Sequence, residues 1–419
     1  MAACSRKNLC GVSSGDGNEM KVLVITPSHV YPPVKGYQVM LCRHIEQLAA
    51  RHSIDIIAFG DAAGKVSGID PIKALCSSVE IIPLPKWKIV FNLLRGLFSI
   101  EPLQVCLYRS KAMTEAVENR LRSSNYDAVV CQLTRTVQFL PQWYLGITLL
   151  NMVDPLVLNY SRSLVWQPWY LRTALKHEIA RLRRYESRQT SRFERVLLIS
   201  QADVLDYQAL LREVNFEQVA YGIDTEYFQP DASIGRVPGM VVISGNMGYA
   251  PNVDGVKYFC REIFPLILAR MPNAHLWLVG VRPSPAIKKL GNSKNVTVTG
   301  YVDDVRYYLH RAMVSVCPIR LNVGTQTKVL EALATGTPVV TTSAGNQGVG
   351  GESGCHLYVA DSPLEISDHV VSLLSGDRGD VLSKNGRKFV QDNFQWTKSA
   401  EKLESILNEL VTKDQTKKG

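Results

Sequence analysis

A lysine and a glycine loop stand together in the second half of the chain, within Leu321–Thr341, LNVGTQTKVLEALATGTPVVT. An apolar strand precedes this segment, and Gly324 opens a loop that leads into a helix predicted over Thr327–Thr335. Lys328 falls in the first turn of that helix, where a cation opposes the helix dipole. An anion held between Lys328 and the N–H groups of Gly324 and Thr325 would remove this conflict, as phosphates do at helix N-termini.

Two further side chains fit the same kind of ligand. Arg320 follows the preceding strand, and its planar guanidinium has the geometry that clamps a diphosphate. Glu331 lies three residues after Lys328 on the same helical face, where a carboxylate can accept hydrogen bonds from ribose hydroxyls. The loop lacks the Walker signature, because no lysine–threonine follows a Gly-x4-Gly. The spacing alone therefore allows a nucleotide-diphosphate site or a solvated Lys–Glu pair on an ordinary helix.

The segment resembles the donor-binding signature of family 4 retaining glycosyltransferases of the GT-B fold. It is closest to a polysaccharide-biosynthesis sugar-transferase subgroup, whose Pro-x-Arg, glycine loop and Lys-Val-Leu-Glu-Ala are matched over Pro318–Ala332. The resemblance implies that Arg320 and Lys328 neutralise the donor diphosphate and that Glu331 holds the ribose. Val323 stands where the family has the first glutamate of Glu-x7-Glu, so the usual carboxylate near the sugar ring is missing.

Two glycine loops extend the resemblance. The stretch Ser244–Phe259, SGNMGYAPNVDGVKYF, is similar to a subgroup loop that places backbone N–H groups, here at Gly245 and Asn246, near the donor phosphates. A purely structural turn before a helix has the same appearance. In the first half, TPSHVYPPVKGYQ resembles the family's Pro-x-x-Gly loop, and Gly36 would let the backbone approach the diphosphate across the cleft. A tight strand-to-helix turn uses a glycine equally well.

Asp154 follows a predicted buried strand in NMVDPLVLNYSR. A carboxylate at the carboxyl end of such a strand opens into the crevice where ligands of doubly wound folds bind. The subgroup has similar residues at the positions of Asp154, Tyr160 and Arg162. We expect Asp154 to orient and deprotonate the acceptor hydroxyl, with a structural Asp-Pro turn as the alternative. His29, alone after the first strand, is a further candidate.

These residues need a scaffold of alternating strands and helices. Uninterrupted apolar runs predict parallel strands covered on both faces, and two consecutive series of them predict an α/β protein. The resemblance implies GT-B, in which two Rossmann-like doubly wound domains face a central cleft. The predicted strands are Lys21–Ile25, Ile54–Phe59, Val79–Ile82, Ala128–Cys131, Thr148–Met152 and Val196–Ser200, then Met240–Ser244, His275–Gly280, Val296–Gly300, Val314–Pro318, Pro338–Thr341 and Leu357–Val359.

The stretch Tyr221–Gly239 is rich in Gly, Pro and Asp and has no periodicity, which places the domain boundary there. We predict five segments in all, with one helix over Asn393–Leu410 in the last. They are a flexible tail over 1–19, an acceptor-side Rossmann-like domain over 20–222, a linker over 223–239, a nucleotide-sugar-binding Rossmann-like domain over 240–385, and a C-terminal helix with a polar tail over 386–419.

Composition limits the partners. The net charge of +9 indicates anionic ligands, but no nucleic-acid-binding motif accompanies it, so no nucleic acid is expected. The nine cysteines have neither zinc spacing nor a disulfide pattern, and no Asp-x-Asp motif is present, so we expect no metal and no cofactor besides the donor. No apolar run reaches the ~20 residues of a membrane span, and the start lacks the core of a signal peptide, which favours the cytoplasm.

Two segments suggest peripheral contact with an anionic membrane, at its inner face. Trp87–Arg95, WKIVFNLLR, combines apolar and basic residues, and His177–Arg195 is strongly basic. A solvated charged helix is the alternative for the second of them.

The sequence thus predicts a glycosyltransferase that moves a sugar from a nucleotide-sugar donor to a glycan or lipid-linked acceptor in cell-surface polysaccharide biosynthesis. Arg320, Lys328 and helix N-termini would stabilise the leaving diphosphate without a metal. The resemblance implies retention of anomeric configuration. The alternatives are a non-catalytic partner subunit of the same fold, which Val323 favours, and a nucleotide-sugar epimerase.

Overall fold

The computed structural model describes residues 19–61, 66, 68–321, 324–376 and 378–418. They form two compact units, the first consisting of the described residues up to Ala220 together with those from Trp396 onward, and the second of those within Tyr221–Gln395. The predicted tail, up to residue 18, and Val323 lie outside the described residues. Among the residues described, no helix is both long and apolar enough to cross a bilayer.

The first unit contains a seven-stranded parallel sheet in the order β3-β2-β1-β4-β5-β6-β7. Its strands are β1 Lys21–Thr26, β2 Ser53–Gly60, β3 Ser78–Pro83, β4 Ala128–Gln132, β5 Thr148–Val153, β6 Arg195–Leu198 and β7 Phe216–Gln218. Its helices before the second unit are α1 Gly36–Leu48, α2 Asp70–Lys73, α3 Lys86–Leu97, α4 Leu103–Cys106, α5 Lys111–Ser123, α6 Leu156–Ser163, α7 Trp169–Thr190 and α8 Gln201–Leu210.

The second unit contains a six-stranded sheet in the order β10-β9-β8-β11-β12-β13. Its strands are β8 Met240–Ser244, β9 His275–Val279, β10 Val296–Gly300, β11 Val314–Cys317, β12 Val339–Thr341 and β13 Tyr358–Val359. Its helices are α9 Ala250–Tyr258, α10 Phe264–Arg270, α11 Pro285–Leu290, α12 Arg306–Arg311, α13 Thr327–Ala334, α14 Ser343–Asn346, α15 Pro363–Leu374 and α16 Gly379–Asn393.

The strands form where the apolar runs predict them, because strands in a parallel sheet are buried on both faces. In β1 every residue after Lys21 is buried, and Val24 lies in register with Ile56 on one side and Val130 on the other. The strand positions and the α/β fold class are therefore confirmed. Prediction missed only β7, whose three residues include Glu217 and Gln218 and carry no apolar run.

The C-terminal segment differs from the prediction. The helix predicted over Asn393–Leu410 is α17, Trp396–Lys418, so the expected polar tail after Leu410 is helical as far as Lys418. An i,i+4 ion pair, with Lys413 Nζ 2.5 Å from a Glu409 carboxylate oxygen, supports the extra turns.

Helix α17 belongs to the first unit, although it follows the second in sequence. The Nε2 atom of His44 in α1 is 2.9 Å from Ser399 Oγ, and His52 Nε2 is 3.0 Å from Glu404 Oε1. Leu403 and Leu407 are buried one turn apart on the packed face. The segment that was predicted as one piece over 386–419 is therefore divided between the two units.

Candidate functional site

Lys328 lies in the first turn of α13 and is anchored by an amide side chain. Its ammonium donates to Asn252 Oδ1 at 2.5 Å, and Asn252 Nδ2 donates to the carbonyl oxygen of Asn246 at 2.9 Å. Asn252 belongs to α9, so it connects the lysine to the loop after β8. In that loop Gly245 has a φ of 137°, and a Cβ there would lie 3.7 Å from Lys328 Nζ. The structure thus brings Lys328, Gly245 and Asn246 together.

Close backbone contacts fix the loop after β8. The N–H of Gly245 donates to the Val279 carbonyl oxygen at 2.9 Å, and that of Met247 to the Val281 carbonyl oxygen at 2.9 Å. A Cβ on Gly280 would meet the Gly245 carbonyl oxygen at 1.8 Å. Only glycine permits this approach, which holds the loop at the carboxyl ends of β8 and β9.

The start of α13 offers unpaired hydrogen-bond donors. Gly324 has a φ of 78°, and a Cβ on Gly348 would lie 2.7 Å from Thr325 Cα, so a second glycine-dependent contact holds this loop. Among the described residues, no hydrogen bond engages the N–H groups of Thr325 and Lys328, and the buried Thr325 hydroxyl has no partner. These donors, the helix dipole and the ammonium of Lys328 together suit a phosphate group.

Arg320 contacts a residue that the sequence analysis did not identify. Its Nε donates to Asp254 Oδ2 at 2.9 Å and its Nη2 to Asp254 Oδ1 at 2.6 Å, while the guanidinium lies 4.9 Å from the Tyr258 ring centre. The pKa of Arg320 is raised, chiefly by this hydrogen bonding. The Asp254 carboxylate therefore binds the guanidinium N–H groups that were expected to bind a diphosphate. The arginine side chain is nevertheless 48% exposed, so a ligand could reach it.

Asn252 and Asp254 have no distinctive signal in the sequence beyond their position in a helix that follows a glycine loop. Their contacts with Lys328 and Arg320 depend on where α9 packs. A Cβ on Gly255 would meet the Pro318 carbonyl oxygen at 2.4 Å, so this glycine lets α9 lie directly against the end of β11. That close approach brings the side chains of the two segments together.

Glu331 lies one helical turn after Lys328, and no hydrogen bond engages its carboxylate within the described parts of the chain. Burial raises its pKa to about 7, and the charge of Lys328 acts in the opposite direction. The residue is half-buried, and ligand hydroxyl groups at this point would supply hydrogen-bond donors to its carboxylate.

In the first unit, Asp154 follows a strained strand end. Val153 has a φ of 64°, which is rare for a β-branched residue. Burial raises the pKa of Asp154 to about 6, the charge of Asp203 adds to that effect, and Arg162 opposes it. Arg162 Nη2 donates to Asp203 Oδ1 at 3.0 Å and to Asp206 Oδ2 at 3.3 Å. Arg162 thus donates hydrogen bonds to Asp203 and Asp206. It acts on Asp154 through its charge alone.

Gly36 is the first residue of α1 and is exposed. The loop before it is held by Gln38, whose Oε1 accepts the Lys35 N–H at 2.8 Å and whose Nε2 donates to the His29 carbonyl oxygen at 2.9 Å. Burial, followed by the charge of Lys35, lowers the pKa of His29. The arrangement is that of a capped strand-to-helix turn, and the contact of Gly36 with a diphosphate stays a prediction.

One group of possible metal ligands occurs among the described residues, shortly after Gly348 in the sequence. Ligand atoms of Glu352, Cys355 and His356 are within 4.8 Å of one another. The Nδ1 atom of His356 accepts the Glu352 N–H at 3.0 Å, and its ring stacks on Phe389 with centres 4.5 Å apart. These contacts account for the arrangement of the trio, which includes none of the predicted site residues.

Residues 238–376 match the sequence model of a family described as Glycosyl transferases group 1. This range includes both glycine-dependent loops, Lys328 and Glu331. A protein of Klebsiella pneumoniae described as an uncharacterized 44.6 kDa protein in the cps region is 22% identical over 163 residues. That match covers 37% of this chain and 42% of the relative, so the chain spans less than half the length of the curated relative.

Solved structures resemble the chain over nearly its whole length. Sucrose-phosphate synthase from Thermosynechococcus elongatus has a TM-score of 0.69 at 16% identity, covering 94% of this chain and 99% of that one. Anabaena HepE in complex with UDP and glucose has a TM-score of 0.59 at 14% identity, covering 93% and 100%. TarM has a TM-score of 0.62 at 11% identity, covering 93% and 99%. These comparisons confirm the predicted GT-B fold class and the resemblance to group 1 glycosyl transferases.

Proposed function

Because the chain carries a group 1 glycosyl transferase domain on the GT-B fold, we propose that it transfers a sugar from a nucleotide-diphosphate sugar to an acceptor. The observation that carries the proposal is the start of α13, where Lys328 stands one turn from Glu331. Within the described residues, the N–H groups of Thr325 and Lys328 and the Glu331 carboxylate have no hydrogen-bond partner. HepE was solved with UDP and glucose, which supports a donor of this class. The cps-region relative supports a role in cell-surface polysaccharide biosynthesis.

In this proposal the second unit binds the donor. Lys328 and the N–H groups at Gly324 and Thr325 hold the diphosphate, with further N–H groups from Gly245 and Asn246. Negative charge grows on the diphosphate as its bond to the sugar breaks, and fixed positive groups stabilise that charge without a metal. Glu331 accepts hydrogen bonds from the ribose hydroxyls, which supply the donors that it lacks.

Arg320 enters the proposal together with Asp254. Arg320 and Asp254 form an ion pair with no net charge, so the paired arginine attracts a diphosphate weakly. Once the arginine leaves Asp254, its full positive charge is available to the ligand. We propose that a donor diphosphate competes with Asp254 for the guanidinium. The half-exposed position of the arginine is compatible with this exchange.

The first unit supplies the acceptor side of the proposal. Asp154 has a pKa of about 6, so it is deprotonated at neutral pH and is a stronger base than an ordinary aspartate. It orients a hydroxyl of the glycan or lipid-linked acceptor and takes its proton. Attack on the same face as the departing diphosphate, assisted by the donor phosphate, would retain the anomeric configuration. We propose a cytoplasmic location with peripheral contact at the inner face of the membrane.

Release of nucleoside diphosphate from a panel of UDP- and GDP-sugars tests the donor assignment. We expect one donor to be cleaved, and we expect Lys328→Ala and Glu331→Ala each to abolish cleavage. Lys384→Ala is the matched control, because Lys384 is exposed on α16 in the same unit. Full activity in both donor-site variants would show that the donor site is elsewhere.

A non-catalytic partner subunit is the second candidate, because Val323 replaces the first glutamate of the family's Glu-x7-Glu. In that case a nucleotide sugar would bind and stabilise the protein, but no donor in the panel would be cleaved, with or without acceptor.

A further inference from the structure

Helix α3 turns its polar and small residues inward. Asn92 and Gly96 are the residues buried along this helix. Asn92 Nδ2 donates to the carbonyl oxygens of Leu107 at 3.2 Å and Arg109 at 2.9 Å. A Cβ on Gly96 would lie 2.9 Å from Cys106 Cβ, so the helix packs closely on the neighbouring segment at that position. Ile89 is half-buried against the core of the first unit, and the other large apolar side chains of α3 lie outside.

The opposite face of α3 carries aromatic and aliphatic side chains at helical spacing. Trp87 is 70% exposed, Phe91 51% and Leu94 57%, and their i, i+4, i+7 spacing lines one stripe. A surface helix of a globular protein normally buries such a stripe, and a contiguous exposed patch marks an interaction surface. We call this patch the apolar surface, and its members are Trp87, Val90, Phe91, Leu94, Leu97, Phe98 and Ile100.

Basic residues predominate among the exposed charged groups beside the apolar surface. Arg181 of α7 donates to the carbonyl oxygens of Gly96 and Leu97, so the two helices are neighbours. The carboxylate residues of α7, Glu178 and Glu186, are both buried. The exposed charged residues of the two helices are therefore all basic: Lys86, Arg95, Arg172, Lys176, Arg183, Arg184 and Arg188. Arg188 is neutralised in part, because its Nη2 donates to Glu101 Oε1 at 2.6 Å. Helix α7 also begins with the exposed aromatic residues Trp169 and Tyr170.

We propose that the apolar surface docks onto an anionic phospholipid bilayer. Aromatic and aliphatic side chains enter the region below the headgroups, while the basic side chains of α3 and α7 meet the lipid phosphates. Pairing with a second copy through the same surface would bring two cationic rims together, which disfavours a dimer. The N-terminal residues 1–18 include Arg6 and Lys7 and few large apolar residues, so they match the surface in neither charge nor hydrophobicity.

This inference rests on the proposed function in one respect, since it names the surface that makes the proposed membrane contact. Binding of the full chain to vesicles requires neither donor nor acceptor. Vesicle binding is measured separately from donor cleavage. A failure to bind vesicles would therefore not contradict the proposed sugar transfer, and a failure to cleave donors would not contradict the proposed membrane contact.

Co-sedimentation with vesicles tests the proposal. The full chain should bind vesicles of phosphatidylcholine with phosphatidylglycerol at least about tenfold more strongly than phosphatidylcholine alone. Salt at about 1 M should remove this preference, because the Debye length falls to ~3 Å. Phe91→Ser/Leu94→Ser should weaken binding at least about tenfold. Leu364→Ser/Val381→Ser, which alters residues that are 62% and 57% exposed in the second unit, should bind as the wild type does.

The charged rim is tested by Arg95→Gln/Arg184→Gln, because Arg95 lies 5.7 Å from the Phe91 ring centre and Arg184 lines a pocket with Leu97, Phe98 and Ile100. This variant should reduce the preference for anionic vesicles and keep an unchanged circular dichroism spectrum. Absence of wild-type binding to anionic vesicles at low salt would overturn the proposal, as would equal losses in the α3 and control variants. A dimer in light scattering that Phe91→Ser/Leu94→Ser dissociates, without any vesicle binding, would assign the surface to a second copy and overturn it too.

Discussion

The two parallel sheets differ in the backbone at the carboxyl ends of their strands, which we call the carboxyl edge of each sheet. In the second unit, the edge depends on glycines, since Gly280 and Gly348 allow backbone contacts that any side chain would prevent. In the first unit, bulky residues occupy strained backbone at the equivalent edge: Leu133 after β4 has a φ of 66° and Val153 in β5 a φ of 64°. Burial of Leu133 and Val153 holds that strain in place.

This difference is matched by the charges at the two edges. The second unit presents Lys328 beside a neutral partner, Asn252, together with N–H groups of Thr325 and Lys328 that no described residue engages, which suits an anion. The first unit presents Asp154 and Asp203 around Arg162, which suits a neutral group that gives up a proton. The two sheets are thus alike in topology but present opposite charges at these edges, and this contrast underlies the proposed division between donor phosphate and acceptor hydroxyl.

The largest expected effect separates the two roles. Asp154→Asn removes the proposed base and should lower sugar transfer to acceptor by about 10³-fold, while nucleotide-sugar binding stays unchanged. Lys328→Ala should lose donor binding as well as transfer. The measurements are transfer rate and donor-induced thermal shift on the same samples. Equal loss of donor binding in both variants would contradict the division of roles.

Gly280→Ala tests the glycine-dependent edge. A Cβ 1.8 Å from the Gly245 carbonyl oxygen, at a φ of 143°, forces the two loops apart. We expect the free energy of unfolding to fall by about 3 kcal/mol, measured by urea denaturation. Gly235→Ala is the control, since its Cβ would have no atom within 4 Å and should change stability by less than about 0.5 kcal/mol. A similar loss in both variants would show that the loop contact is not the cause.

Glu331→Gln should stabilise the donor-free protein and weaken donor binding. The folded-state pKa of about 7 lies above the ordinary value, so the folded state binds more protons between roughly pH 4 and 7, and stability falls as the pH rises through that range. The substitution removes this penalty. We expect a gain of up to about 2 kcal/mol at pH 8 that disappears below about pH 4, measured by denaturation across pH. A loss of stability at pH 8 would indicate that Glu331 has a stabilising partner.

Arg162→Gln gives the smallest expected effect. Arg162 lowers the pKa of Asp154, so its removal should raise that pKa and move the acid limb of the transfer–pH profile upward by about one unit. Donor-induced thermal shift should not change, because the proposed donor-binding groups belong to the other unit. An unmoved acid limb would mean that Asp154 does not act as the base.

The sequence predicted the strands well, since buried parallel strands are continuous apolar runs and depend little on distant contacts. It also placed Gly324 in the loop and Lys328 and Glu331 on the helix that follows, because these positions depend only on residues nearby in the sequence. The edge strand Phe216–Gln218 was missed since it has no apolar run. The extension of α17 beyond Leu410 was missed because its residues are polar.

Contacts between distant segments were beyond sequence analysis. Asp254 is 66 residues from Arg320, and Asn252 is 76 residues from Lys328, and these pairs meet only through the packing of α9 on β11. The orientation of α3 also could not be predicted from the sequence. Its apolar residues are visible in the sequence, but only the structure shows that Asn92 and Gly96 take the inner side.

The central claim is that Lys328 and its surroundings bind the diphosphate of a nucleotide sugar, and thermal unfolding with a panel of nucleotide sugars tests it most directly. One donor at about 100 times its dissociation constant should stabilise the wild type by roughly 2.7 kcal/mol. Lys384→Ala should show the same shift and Lys328→Ala none. A full shift in Lys328→Ala, or no shift with any nucleotide sugar, would contradict the account.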